Sequence, residues 1–292
     1  MRKTIVTHDG SFHADDVFAT AALLLLEPTA TVVRTRDGRE IAAADIVVDV
    51  GGVYDETRNR FDHHQVGGAG ERENGIPYAA FGLVWEKFGE TITHDPVTAR
   101  RVDTVLVAPI DANDNGINLS APVNPGISSY ELSDVIRAFA PTWLESDRES
   151  DTAFSEAVAF AKTLLTREIR RAEAYCAGER EVLAVYERSS DKRLLVCDND
   201  LSWKEAVARL PEPLYVIHPQ GATWHLYCVR DNPHVFKNRK GLPSSWAGLR
   251  DEELAGVTGV ADAVFCHRNR FMAVAKSKEG AIELAKLALA SS

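Results

Sequence analysis

Four of the nine histidines in this chain fall within its first 64 residues, each close to an aspartate and to a turn or a predicted strand end. His8 and His13 share the segment His8-Asp9-Gly10-Ser11-Phe12-His13-Ala14-Asp15-Asp16, Asp49 stands just before Gly51-Gly52, and Asp62-His63-His64 follows Phe61. Asp111 closes a further apolar stretch, residues 105–110. Mixed imidazole and carboxylate ligands suit Mn2+, Zn2+ or Fe2+ better than Ca2+, which prefers an all-oxygen shell. Six ligands drawn from these segments would be too many for one ion with open positions. They suit two ions that share a carboxylate. Taken singly, a histidine or aspartate at a turn is usually a cap or a solvated side chain, and Asp114 reads that way beside Asn115-Gly116. The set together, at four expected strand ends, exceeds what capping requires. Zincin spacing, a P-loop, a dinucleotide-binding glycine pattern and a nucleophile elbow are all absent.

The residues between these groups predict the elements that must position them. Ile5-Val6 begins a strand ending at His8, and Asp15 or Asp16 caps a helix carrying Val17, Phe18, Ala21 and Leu24 that stops near Pro28. Strands are expected at 31–33 and 46–48, the second apolar on both faces as a central parallel strand should be. A charged loop, 34–40, separates them. After a short strand near Phe61 come a glycine-rich loop, 67–75, and helices near 79–88 and 96–107. Residues 111–116 read as a turn and 122–129 as irregular. This alternation implies α/β architecture, an N-terminal doubly wound and mostly parallel sheet whose strand carboxyl ends converge on one crevice. A long helix is expected from about Asp151 to Cys176. Short strands follow at 182–186, 194–197, 215–218, 224–229, 264–266 and 271–275, before a final helix at 278–289. A length of 292 residues suits two domains, since single cores seldom exceed ~250 residues. The expected division is a metal-binding catalytic domain over 1–148, a connecting helix over 149–178 and a smaller α/β substrate-binding domain over 179–292.

A net charge of −10 argues against a broad nucleic-acid surface but allows a local basic groove. The stretch Arg230…Lys237-Asn238-Arg239-Lys240…Arg250 carries five cations against Asp231 and is the candidate phosphate-binding patch, with Arg239 and Lys240 at its centre. Arg34 and Arg36, after the second strand, are further candidates. Four widely spaced cysteines without a CxxC pair predict reduced, buried thiols and a cytoplasmic protein. The apolar run 17–26 is too short to span a bilayer, so no membrane partner is expected.

The ordered segments above resemble the motifs of the DHH phosphoesterase superfamily, and more closely those of its Myg family of exonucleases. The matching text includes Asp45-Ile46-Val47-Val48-Asp49-Val50-Gly51-Gly52, Phe61-Asp62-His63-His64-Gln65 and Ile110-Asp111-Ala112-Asn113-Asp114-Asn115-Gly116-Ile117, and it extends to Glu279-Gly280-Ala281. The resemblance implies one metal on His8, His13 and Asp49 and a second on Asp15, Asp49, His63 and Asp111, with Asp49 bridging. His13 stands where many DHH enzymes have an aspartate, as is usual in the Myg group. His64 would face the scissile phosphate and Asp62 would orient the histidines from behind. The implied function is a 3′→5′ exonuclease on RNA or short oligonucleotides, using two divalent ions, Mn2+ first, and a hydroxide shared between them. Single-stranded RNA or a short oligonucleotide is the expected partner, and a homodimer is compatible with the sequence. The alternatives are a small-substrate phosphatase (a pyrophosphatase or a dinucleotide phosphodiesterase) and a non-catalytic metal- or nucleic-acid-binding protein. The chain departs from the family at Ala273-Val274-Ala275-Lys276, where a glycine-glycine-asparagine-lysine turn is usual. Lys276 is retained as a candidate substrate contact.

Overall fold

The computed structural model describes residues 2–121, 123–145, 149–232 and 235–291. The chain divides into two compact units, Met1–Ala172 and Glu173–Ser292. The boundary expected after residue 148, and Pro122 at the head of the expected irregular stretch, lie outside the described residues.

In the first unit the chain runs β1 (Thr4–Thr7), α1 (Ala14–Leu26), β2 (Thr31–Arg34), α2 (Gly38–Ala43), β3 (Ile46–Val48), β4 (Tyr54–Asp55) and β5 (Arg60–Phe61). Helices α3 (Ala80–Thr93), α4 (Pro96–Val102), α5 (Ala108–Asp114) and α6 (Leu132–Arg137) follow, then α7 (Ser150–Arg188). The strand order is β2-β1-β3-β5-β4, parallel except for the β4–β5 pair. Strand alternation sends Ile5, Ile46, Val48 and Phe61 into one core with Phe18 of α1, Phe81 of α3 and Phe154 of α7. Val6 and Val47 point to the other face, where they meet Ala44, Val50 and the half-buried Ile41 of α2. Helix α1 is buried along its first ten residues, which explains why its sequence is apolar nearly all round. The chain leaves β1 to form β2 on one side and returns to form β3 on the other. The strand order therefore reverses between β1 and β3, the place where open α/β sheets bind ligands.

Three sequence expectations are corrected here. Part of the charged loop is helix α2, because the Asp37 carboxylate caps it by accepting from the Arg39 N–H at 2.7 Å. Residues 96–114 form one nearly continuous helical run in which α4 passes into α5 through a π-helical turn, Asp103–Val107. Asp111 thus sits on a helix rather than at a strand end, and only Asn115-Gly116 turns the chain. Helix α7 continues to Arg188 and absorbs the strand expected at 182–186. Val182 and Val185, one helical turn apart, are buried with Leu195, Trp203 and Val207, so packing overrides the β-preference of valine.

The second unit contains β6 (Leu194–Val196), α8 (Lys204–Ala208), β7 (Tyr215–Gln220), β8 (Thr223–Cys228), α9 (Asp251–Thr258), β9 (Ala263–Cys266), β10 (Met272–Ala275) and α10 (Lys278–Ala290). Its sheet has the order β6-β7-β8-β10-β9, with only β6–β7 parallel. Ala273, Val274 and Ala275 are buried within β10, in line with the strand expected at 271–275, and Lys276 emerges exposed just beyond it. All four cysteines are free and buried. No helix among the described residues is long and apolar enough to cross a membrane.

Helix α10 starts at Ser277, whose backbone N–H and hydroxyl both donate to Asp262 while its oxygen caps the Gly280 N–H. A Cβ at Gly280 would lie 2.0 Å from the Asp262 carboxylate, whereas one at Gly256 in α9 meets nothing within 4 Å. Gly280→Ala should destabilise the protein by about 1–3 kcal/mol. Gly256→Ala should be neutral or stabilising by up to about 1 kcal/mol. Thermal melts of the two variants beside the parent check this, and equal melting temperatures would contradict the packing described.

Candidate metal centre

His8 follows β1 and Asp49 follows β3, so the point of strand reversal sets them side by side, with His8 Nε2 3.3 Å from Asp49 Oδ2. Asp49 has φ 53°, in the left-handed region that aspartate tolerates better than most residues but at a cost of about 1–3 kcal/mol. Surrounding contacts hold it there. Its N–H donates to the Phe61 carbonyl at 2.9 Å, and the following Gly51 and Gly52 also have positive φ, which brings the Gly52 N–H 2.6 Å from Asp62 Oδ2. Asp49 Oδ1 lies 3.5 Å from His63 Nε2 and 3.4 Å from His64 Nδ1. One carboxylate therefore faces three imidazoles.

The remaining groups arrive from helices. His13 precedes α1, and its N–H donates to Asp16 Oδ1 at 2.7 Å, while Asp16 Oδ2 lies 3.4 Å from His8 Nε2. Asp15 turns toward the start of α3 and accepts from the Ala80 and Phe81 N–H groups at 3.0 and 2.7 Å, an anion at a helix N-terminus. Asp114, at the end of α5, lies 3.1 Å from His63 Nε2. Candidate ligand atoms fall within 4.8 Å of one another in three overlapping groups: His8, His13, Asp16 and Asp49; Asp49, His63 and His64; Asp15, His63 and Asp114. Asp49 belongs to two of them.

Asp111 is placed otherwise. One oxygen accepts from the Gly82 N–H at 3.0 Å and the other lies 2.8 Å from Arg72 Nη1. Arg72 also grips Asp103 and stacks over the Tyr78 ring. Sequence reasoning thus missed Asp16 and Asp114 as members of the cluster. A second acid in a first helical turn reads as a cap, and an aspartate before Asn-Gly reads as a turn. The helical register of residues 108–114 was the signal that could have found Asp114, since it puts Asp111 and Asp114 one turn apart.

The arrangement fits divalent cations. Asp16 Oδ2, Asp49 Oδ1 and His63 Nε2 are buried, lie within 3.5 Å of charged neighbours and yet make no hydrogen bond. Carboxylate oxygens and imidazole nitrogens converge there at distances a divalent cation could bridge, which fits the donor set of a metal centre. Electrostatics agrees. Burial alone would disfavour charge on His63, but the Asp114 and Asp49 carboxylates outweigh it and lift its pKa to about 10. The same contest raises His8. Burial would also raise Asp49, yet the imidazoles of His63 and His8 bring it down to about 2. Burial, only partly offset by His8, lifts Asp16 to about 7. Asp15 is pushed well above the carboxylate range by burial and then by Asp49, Asp114 and Asp111.

The site opens into a pocket of about 870 Å3 that also reaches Arg36 and Arg137. Asp62 holds His64 and not His63: its Oδ1 accepts from the His64 N–H at 3.0 Å and pairs with His64 Nδ1 at 2.8 Å, while the ring remains 62% exposed. Arg36 is exposed and pairs with Asp9 at 3.2 Å. Arg34 is not available to a substrate. Its guanidinium stacks on Phe12 and Phe154 and donates to the Gly10 carbonyl, Ser150 and Asp151, tying the His8–His13 loop to the start of α7. In the second unit Arg239 donates to the carbonyls of Ala208, Leu210 and Pro213 and to Asp231, and Lys240 to those of Leu289 and Ser291. The two central cations of the expected phosphate patch are thus engaged with the chain's own backbone.

Without metal, the folded site binds more protons than the unfolded chain over a wide pH range. His63 titrates near 10 instead of 6.5, so its stabilisation is complete below pH 6.5 and lost as pH rises through about 10. Asp16, near 7 instead of 3.8, loses its contribution as pH rises from 3.8 through about 7. Asp49 acts oppositely, but only below 3.8. Chelator-treated protein should therefore lose stability from pH 5 to pH 10, by on the order of a few kcal/mol, and melt progressively lower. Added Mn2+ should reverse the loss, most strongly at high pH. Scanning calorimetry with and without chelator reads both effects, and a metal-free melting temperature that rises with pH would contradict the electrostatics above.

Residues 4–289 match the family model for MYG1 exonucleases, described as an uncharacterised protein family (UPF0160). The chain is similar to the MYG1 exonuclease of Homo sapiens, 31% identical over 324 residues that cover 98% of this chain and 85% of the human one. It is 33% identical to the MYG1 protein of Chlamydia trachomatis over 98% of this chain and 96% of that protein. Among solved structures, RecJ from Thermus thermophilus in complex with Mg2+ aligns at 14% identity and a TM-score of 0.29, with 99% of this chain spanning 50% of that one. The match across nearly the whole chain and the identity to relatives from bacteria to human lead to one assignment: the chain belongs to the MYG1 exonuclease family.

Proposed function

We propose that this protein is a metal-dependent phosphodiester hydrolase that shortens single-stranded RNA or short oligonucleotides in the 3′→5′ direction. The observation that carries this reading is the meeting of His8, His13, Asp16, Asp49, Asp15, His63 and Asp114 around one crevice, with Asp49 common to two groups. Membership in a family of exonucleases supports hydrolysis of nucleic acid. One divalent ion, Mn2+ first, would be held by His8, His13, Asp16 and Asp49, and a second by Asp15, Asp49, His63 and Asp114. Asp111, which the motif suggests as a ligand, is read here as the anchor of Arg72 and α3. Ions bound at these residues supply Lewis-acid activation of water and stabilise charge on the phosphoryl oxygens.

The chain's own groups do the rest. Asp62 fixes His64 through Nδ1, which leaves Nε2 open to the pocket, where it can donate to a phosphoryl or leaving oxygen. Arg36, free to exchange Asp9 for a phosphate, offers a bidentate cation at the pocket wall. The first unit is read as a doubly wound catalytic domain, α7 as its connector, and the second unit as the substrate-binding domain with Lys276 as a backbone contact. Four free, buried cysteines suit a reducing, cytoplasmic location.

The test is one panel: single-stranded RNA, single-stranded DNA, a dinucleotide and pyrophosphate, each with Mn2+, beside an Asp49→Asn variant. Asparagine tolerates positive φ as aspartate does, so the backbone is kept while the shared charge is lost. RNA turnover by the parent should exceed that by the variant at least ~1,000-fold, as expected when a group central to transition-state stabilisation is removed. Equal rates would end the two-metal reading, and turnover of pyrophosphate alone would end the exonuclease reading. His64→Gln should lower kcat by ~100-fold while leaving Mn2+ affinity within a few-fold of the parent.

A further inference from the structure

Beside the metal centre the first unit holds a second concavity of about 330 Å3. Its walls are mostly aliphatic, from Leu106 in the π turn, Ile110 on α5, Ile117 and Leu119 beyond it, and Leu132 at the start of α6. Ile110, Asn113 and Ser133 line both this concavity and the metal pocket, so the two spaces share a wall. A polar cluster is fixed within the apolar rim: the Glu131 carboxylate accepts from Asn113 Nδ2 at 3.1 Å and from Ser120 Oγ at 3.2 Å. At the mouth, Val105 and Leu119 remain 43% and 58% exposed.

We infer that this side pocket receives the base of the nucleotide whose phosphate lies at the metal centre, an inference that rests on the phosphodiesterase reading above. A base is joined to its phosphate by a single sugar, so it must come to rest in a space adjoining the phosphate site. The centre of the metal pocket, lined by aspartates and imidazoles, is where the phosphate and the ions would sit, so the base needs an adjoining space. The side pocket supplies aliphatic surface for the ring faces and a carboxylate that accepts from ring or exocyclic N–H groups. Its volume lies at the low end of small-ligand pockets, about 300–1,000 Å3, which suits one heterocycle rather than an extended ligand. The Glu131 charge repels a second phosphate, so the pocket favours a nucleotide over pyrophosphate.

Binding is measured by titration calorimetry on the full chain loaded with Mn2+, comparing AMP with ribose 5-phosphate. Burial of the ring faces against the aliphatic walls should make AMP bind at least about tenfold more tightly than ribose 5-phosphate. Replacing both exposed rim residues, Val105→Gln with Leu119→Gln, should shrink that preference below about threefold while leaving ribose 5-phosphate affinity as in the parent. In turnover, an oligonucleotide ending in an abasic residue should be cleaved about tenfold more slowly than one ending in a base, by the parent only. Equal affinity of the parent for AMP and ribose 5-phosphate overturns the pocket, as does a preference that survives the double variant. Base-dependent binding without hydrolysis of any oligonucleotide would support the pocket and overturn the exonuclease reading, so the two fail separately.

Discussion

The carboxylate of Asp49 faces His8 across the point where the strand order reverses, and faces His63 and His64 from the far side of the next strand. Three segments distant in sequence are thereby tied to one anion that water hardly reaches. The backbone accepts a left-handed conformation at that residue to aim the side chain, and two glycines follow so that the loop can turn back on Asp62. Buried charge of this kind is costly unless it is paired, and pairing with several imidazoles concentrates exchangeable cations at one place. The sheet topology makes this placement possible, and the turn after β3 and the lowered pKa of Asp49 go with it.

The acids around Asp49 each have a second attachment that fixes them. Asp15 is held by the N–H groups that open α3, Asp16 by the backbone of His13, and Asp62 by Gly52. Arg34, stacked between two phenylalanines, does the same for the loop that carries His8 and His13, since its bond to the Gly10 carbonyl ties that loop to α7. Such outer contacts decide whether a site has a geometry or only a composition. They also show how several acids can sit in a largely apolar domain: Asp15, Asp16 and Asp62 each keep a backbone N–H partner.

Much of the first sheet was legible because apolar triplets such as Ile46-Val47-Val48, bounded by turn residues, have few other uses. The convergence of His8, Asp49 and His63 followed from that sheet. What was illegible was set by contacts between distant residues. Asp16 and Asp114 carry the signature of caps and turns, and only the fold reveals that their second oxygens face the cluster. Arg239 and Lys240 look like free cations in a row, yet helix C-termini and loop carbonyls claim them, because exposed carbonyls attract nearby cations as readily as phosphates do. Val182 and Val185 favour strand by residue type and are helical because a neighbouring core needs them one turn apart.

The π-helical turn at Asp103–Val107 acts as a phase adjuster for the helix that carries Asp111 and Asp114. Arg72 spans it, holding Asp103 at its start and Asp111 beyond its end. A helix advances 100° and 1.5 Å per residue, so losing one residue between those two acids would shorten the run only slightly but rotate everything after it by about a quarter turn. Asp111 would leave Arg72 and Asp114 would swing away from His63, although every side chain involved was still present. This short stretch is thus a ruler as much as a scaffold. Its residue count matters as much as the buried Leu106 and Val107 that it packs into the core.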